Sequence, residues 1–138
     1  MASAAAAAES LTLPEVTQTV ILTRVEGRTP MPEGESLEEL ARHRCTLCLF
    51  LSVGLLGKVR GGDLLAAGWH EDAPVLIVQK ASWPGEEKCR AEKIRSQAMI
   101  IVSLALGARG WPSLKKSKLY DAGFAHRYRR GSKPRGSD

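Results

Sequence analysis

The sequence predicts an α/β layer, and three observations carry that reading. Residues 17–25, TQTVILTRV, are rich in β-branched side chains and run into a loop marked by Pro30, Pro32 and Gly34. Residues 46–51, 74–79 and 98–102 are apolar at successive positions, the pattern of strands covered on both faces. Helix-like segments separate these runs, and such alternation indicates parallel pairing.

Each element has its own justification. The first ten residues, MASAAAAAES, could form only about two helical turns, which are marginal in isolation, so they read as the end of a longer helix. They lack the basic and Leu-rich regions of a secretory signal. Ser36 followed by Glu39 is a capping box, and Leu37, Leu40 and Ala41 give the next helix an apolar face that ends near His43 or Arg44. Residues 46–51 then predict a fully buried strand. Residues 55–69 return to helical spacing at Leu56, Val59, Leu64 and Leu65, but Gly61 and Gly62 weaken it by about 1 kcal/mol each relative to Ala, and a break is expected there. One junction is difficult. Between the loop at Trp83-Pro84 and the strand starting near Ala98 the chain is close to the minimum of about a dozen residues for a parallel crossover.

With 138 residues the chain is one domain by size, with 43% hydrophobic and 25% charged residues, the balance of a soluble globular protein. The weakly charged run at 46–57 is too short for a membrane span of about 20 residues. Net charge is +5, yet residues 109–138 hold nine Lys/Arg against two Asp, so the basicity belongs to the tail. A basic tail can bind nucleic acid through phosphates, but here only one tyrosine after Asp121 accompanies the charges and no binding motif surrounds them. A solvated end around a short docked piece at Leu119, Tyr120 and Asp121 is the favoured reading. Cys45, Cys48 and Cys89 fall short of the four ligands of a structural zinc site, and residues three apart on a strand face opposite ways. Free thiols in a reducing cytoplasm are expected.

Reaction classes that need a distinctive motif find none: there is no Gly-x-Ser-x-Gly elbow, Walker loop, His-Glu-x-x-His or pair of carboxylates on one helix face. His43, His70 and His126 are scattered. Arg24 and Arg28 flank the turn at residues 25–27 and are candidates for an anionic ligand, although surface arginines are common. Thr23 and Thr29 beside them suit hydroxyl contacts or turn roles equally.

The segment LTLPEVTQTVILTRVEGRTPMPEGE at 11–35, TLCLFLS at 46–52, ASWPGEEK at 81–88 and SKLYDAGFAHRYRR at 117–130 occur in this order. Together they resemble the precorrin-4 methyltransferase branch of the tetrapyrrole methylases, along nearly the whole chain. The resemblance implies the C-terminal domain of that fold, truncated and internally shortened, with a partly parallel mixed sheet. It divides the chain into a remnant of an upstream helix at 1–10, a methylase domain at 11–112 and a basic tail at 113–138. It implies an S-adenosylmethionine-dependent enzyme of cobalamin biosynthesis, acting in the cytoplasm on a tetrapyrrole by positioning rather than by an activated side chain. Arg24 and Arg28 then become substrate-binding residues for tetrapyrrole carboxylates. Leu51, Lys80 and Ala98 become cofactor-side positions, though Leu51 and Ala98 also suit sheet core and Lys80 a surface charge.

The chain also departs from the family. An Arg-Gly-Thr-Leu strand and most of the following helix are missing around residues 86–97, and Ser103-Leu104 stands where relatives carry a Gly-Pro pair. A preceding domain with a glycine-rich loop is expected but not found, so the chain is expected to be inactive alone, and to require a homodimer partner or a separate N-terminal half. Two alternatives stand beside this reading: a non-catalytic interaction module, and a small basic-tailed nucleic-acid binder.

Overall fold

The computed structural model describes residues 9–79, 87–88 and 98–108. The expected docking of Leu119 and Tyr120 lies outside them, as do Lys80, Cys89 and His126. Five strands, β1 (Val20–Arg24), β2 (Thr46–Phe50), β3 (Val75–Gln79), β4 (Glu87–Lys88) and β5 (Ala98–Val102), form one sheet in the order β1-β2-β5-β3-β4. The pairing is mixed. β1 and β2 are parallel, whereas β5 runs antiparallel to both β2 and β3, and β4 antiparallel to β3.

Strands therefore lie where the apolar runs place them, but parallel pairing holds only between β1 and β2 among the hydrogen-bonded neighbours. The difficult junction before Ala98 remains. β4 and β5 both run antiparallel to β3 and lie on opposite sides of it, so they run the same way and the chain between Lys88 and Ala98 passes from one side of β3 to the other. The first strand is also shorter than expected, because Thr17 is used in a tight loop. Leu13 N–H donates to Thr17 O at 2.7 Å and Thr17 N–H to Leu13 O at 3.0 Å, with Glu15 between them at φ 65°.

Helical elements cover one face. Helix α1 (Leu37–Ala41) begins at Ser36, whose hydroxyl accepts the Glu39 N–H while the Glu39 carboxylate accepts the Ser36 N–H, the expected capping box. The next helical run is continuous but changes winding: a 3-10 turn (Val53–Leu55), α2 (Leu56–Lys58), a π turn (Val59–Asp63) and α3 (Leu64–Ala66). Gly61 and Gly62 fall inside the π turn, so the expected break is a local overwidening. Trp69 Nε1–H donates to Ala41 O at 2.8 Å and ties the end of this run to α1. Among the described residues no helix is long and apolar enough to cross a membrane.

Alternation along the strands divides the core in two. Leu47, Leu49, Ile77, Ile100 and Val102 pack with Leu37, Ala41, Val59 and Leu64 beneath the helices. Cys48 and Ile101 face the other way and are covered by Leu11 and Leu106, with Leu76 and Met99 beside them. This corrects the reading of residues 46–51 as a strand within a parallel sheet: β2 is buried on both faces because helices close one and chain segments close the other. Cys45 and Cys48 do face opposite ways, in separate clusters.

A polar link joins the two ends of the described chain. Thr46 Oγ1–H donates to Leu11 O at 2.6 Å and lies 2.6 Å from Ser103 Oγ, which accepts the Ala105 N–H at 3.0 Å. With Thr46 donating to Leu11, the Ser103 hydroxyl donates to Thr46, and every proton has an acceptor. Thr46→Val should cost about 1–3 kcal/mol, because it strands a buried carbonyl and a buried hydroxyl. Urea denaturation checks this, and an unchanged midpoint would show the link to be dispensable.

Burial raises the Asp63 carboxyl above the usual aspartate range, with Glu38 and Glu26 adding to the effect and Lys58 opposing it. The native state thus holds this proton more tightly than the unfolded chain, so stability falls as pH rises from the ordinary aspartate pKa through the raised one. Asp63→Asn should raise the urea midpoint at about pH 7 and leave it unchanged at about pH 3, below the ordinary value of ~3.9.

Candidate functional site

Strand direction builds the site. β1, β2 and β3 run the same way and β5 against them, so the carboxyl ends of the first three and the start of β5 share one sheet edge. Arg24 pairs with Phe50 and Gln79 with Ala98 along that edge. Ligands of α/β sheets bind beyond the carboxyl ends of strands. Of the sequence-predicted residues, Arg24 ends β1, Leu51 follows β2 and Ala98 opens β5. The β2–β5 register, Leu49 with Ile100, runs on toward Leu51 and Ala98. Arg28 is exposed in the loop after β1, and Lys80, just past Gln79, lies outside the described residues.

Leu51 is not sheet core. It is 86% exposed and adopts φ 53°, a left-handed conformation that costs a non-glycine residue about 1–2 kcal/mol. The next residue offsets that cost. Ser52 is fully buried, and its Oγ accepts the Val25 N–H at 2.8 Å while donating to Phe50 O at 2.7 Å. Ser52 O also accepts the Leu55 N–H at 2.9 Å, which starts the 3-10 turn. Two side-chain hydrogen bonds at about 1 kcal/mol each are of the size required. Sequence reasoning gave Ser52 no role. The available signal was a lone hydroxyl between an apolar strand and a helical pattern.

Ala98 behaves differently, half-buried and packed against the helix-side core. The Arg24 guanidinium turns back on its own loop, with Nη1 donating to Thr29 O at 3.0 Å and Nη2 to Pro30 O at 2.9 Å. The same loop is held by Met31 N–H to Glu26 Oε1 at 3.4 Å and by Lys58 Nζ to Glu26 O at 3.3 Å. Arg24 and Thr29 therefore share one structure, through the threonine carbonyl rather than its hydroxyl. Thr23 is buried, its hydroxyl 3.5 Å from Arg24 O.

Other reactive groups are set aside by their surroundings. Burial raises the Cys45 and Cys48 thiols above their usual range, so neither is a ready thiolate nucleophile. His70 Nδ1 lies 3.4 Å from Asp72 Oδ2 in an exposed pair away from the strand ends.

No family model matches the chain. Individual relatives do. The chain is 48% identical to the cobalt-precorrin-4 C(11)-methyltransferase of Priestia megaterium over 96% of its length and 55% of that protein's. It is 45% identical to the enzyme of the same name from Methanocaldococcus jannaschii, over 89% of this chain and 50% of the other. A solved cobalt precorrin-4 methyltransferase superposes on 75% of this chain and 48% of its own, with TM-score 0.71 and 50% identity. The chain is a relative of the precorrin-4 C(11)-methyltransferases. It spans about half the length of the curated relatives it matches. A uroporphyrin-III C-methyltransferase from Thermus thermophilus, solved with S-adenosylhomocysteine, shares the fold at TM-score 0.57 and 24% identity. The mixed α/β sheet is thus that of the tetrapyrrole methylases. Of the Ser103-Leu104 pair, at which the resemblance implies a Gly-Pro or similar pair, Ser103 is built into the buried link to Thr46 and Leu104 is partly exposed.

Because Arg24 holds two loop carbonyls, Arg24→Ala should speed exchange of the Met31 amide, which Glu26 accepts, at least tenfold while the β2 and β5 amides keep their protection. Hydrogen exchange read by NMR checks this, and unchanged loop exchange would show that the guanidinium does not order it.

Proposed function

We propose that this chain is the C-terminal portion of an S-adenosylmethionine-dependent precorrin-4 methyltransferase of corrin biosynthesis, carrying one wall of the cofactor site and a substrate-binding loop. The observation that supports this most is the convergence of Arg24, Leu51 and Ala98 on one strand edge, in a chain 44–48% identical to relatives of that name. The methyl donor supplies an electrophilic sulfonium methyl, so the protein needs no side-chain nucleophile and contributes by orientation. Leu51 offers an exposed apolar surface beyond β2, and Ala98 keeps the neighbouring strand end narrow. Lys80, the residue after Gln79 in sequence, is the third cofactor-side position of this reading.

Arg24 and Arg28 take the substrate side. Tetrapyrrole carboxylates call for charge-assisted hydrogen bonds, and a guanidinium has five N–H donors. Arg24 spends donors from both terminal nitrogens on Thr29 and Pro30 and keeps others, while Arg28 projects from the loop that Arg24 orders. A second polypeptide unit, either another copy or one matching the rest of the relatives' length, completes the enclosure. A non-catalytic interaction module is the second reading. Val20, Leu22 and Phe50, which leave apolar surface on the side away from the helices, favour it.

A wall without its opposite side should bind weakly. The chain alone should bind S-adenosylhomocysteine with a Kd above the micromolar range, less favourable than about −8 kcal/mol. In an NMR titration, amides of Leu51, Ala98 and Lys80 should shift and those at the opposite strand ends, Thr46 and Val102, should not. No shifts at millimolar ligand, or shifts confined to the opposite edge, would defeat the cofactor assignment.

A further inference from the structure

We infer that Ser52 is a positioning residue for the cofactor-side wall: its buried hydroxyl holds Leu51 in the left-handed conformation that presents it beyond β2. The inference rests on the cofactor reading above and adds a residue to which that reading gives no part. Three observations carry it. Leu51 is exposed at φ 53°, a conformation that leucine abandons unless its neighbours fix it. Ser52 Oγ reaches back to the carbonyl two residues earlier, Phe50 O, which it can do only if the chain folds at Leu51. The same oxygen accepts the Val25 N–H, so one hydroxyl joins the ends of β1 and β2 and sets the start of the Arg24 loop relative to Leu51. Gly27 lies in that loop, where an added Cβ would stand 3.4 Å from Leu55 Cδ1, and Leu55 is the residue whose N–H Ser52 O accepts. Ser52 is therefore buried away from any ligand and sets the spacing between the Leu51 wall and the Arg24 loop.

The test is a double-mutant cycle on the full chain, read as S-adenosylhomocysteine affinity by NMR titration, with Leu51 13Cα and 13Cβ shifts as a conformational readout. Ser52→Ala should weaken binding at least tenfold and move the Leu51 shifts toward extended values. In a Leu51→Gly background, where the left-handed conformation is accessible without help, Ser52→Ala should cost less than threefold. Ser52→Thr, which keeps the hydroxyl, should stay within threefold of the unmodified chain and remains informative where Ser52→Ala unfolds. A tenfold loss in both backgrounds, unchanged Leu51 shifts, or full affinity in Ser52→Ala would overturn the inference and leave the cofactor reading standing. Absence of binding by the unmodified chain would overturn that reading and the inference with it.

Discussion

An antiparallel strand inserted between two strands that run together is the constraint on which the rest of this structure depends. β5 hydrogen-bonds to β2 on one side and β3 on the other, so those two never meet and the sheet is held through its centre. Leu47, Leu49, Ile100 and Val102 are fully buried as a result. A central pair buried on both faces needs two covers. Helices α1 to α3 with their connecting turns supply the first, and the segments carrying Leu11 and Leu106 supply the second. The same insertion puts the first residue of β5 among the carboxyl ends of its neighbours, so the strand that completes the core also contributes to the edge proposed for the ligand.

Much of this was legible in the residues. The run at 98–102 coincides with β5 and that at 46–51 overshoots β2 by Leu51, and apolar runs this short between turn signals suit strands better than helices. The capping box at Ser36 is a local device and survives in any context. Strand direction was not legible in the residue pattern, and the partly parallel mixed sheet came from the resemblance alone. A period of two reads identically forward and backward, and a strand covered on both faces has lost even the alternation that fixes a register. Parallel pairing was inferred from the order of elements, and that argument cannot see a last strand that doubles back. Thr17 was assigned to β1 on β-branching alone, whereas two backbone hydrogen bonds to Leu13 had already claimed it.

Site legibility was of another kind. Arg24 was a local candidate that the resemblance made a substrate residue, whereas Leu51 and Ala98 came from resemblance alone and the residues by themselves favoured core for both. Ala98 partly keeps that character. Leu51 does not, because the alternation that predicts burial stops one residue earlier, at a backbone turn with no glycine to announce it. What reverses its environment is a hydrogen bond from a neighbouring hydroxyl, and such bonds leave little trace in hydropathy.

The two ends of the sheet differ in physical character, and that contrast supports the roles proposed for them. At the end where β2 begins and β5 stops, Thr46, Val102 and Ser103 are fully buried, and the hydroxyls saturate each other and the Leu11 carbonyl. Arg44, two residues before Thr46, takes a left-handed φ of 54° at that end as well, with its guanidinium donating to the Gly68 carbonyl. At the other end Phe50 and Leu51 emerge into solvent, a leucine holds a costly backbone conformation, and an arginine spends only part of its donors on its own loop. Strain that persists on an exposed apolar residue contributes nothing to packing, because the side chain is in water and gains no burial. It persists because Ser52 and the ends of β1 and β2 over-determine it, which is why the proposed cofactor wall is placed at this edge rather than at the saturated one.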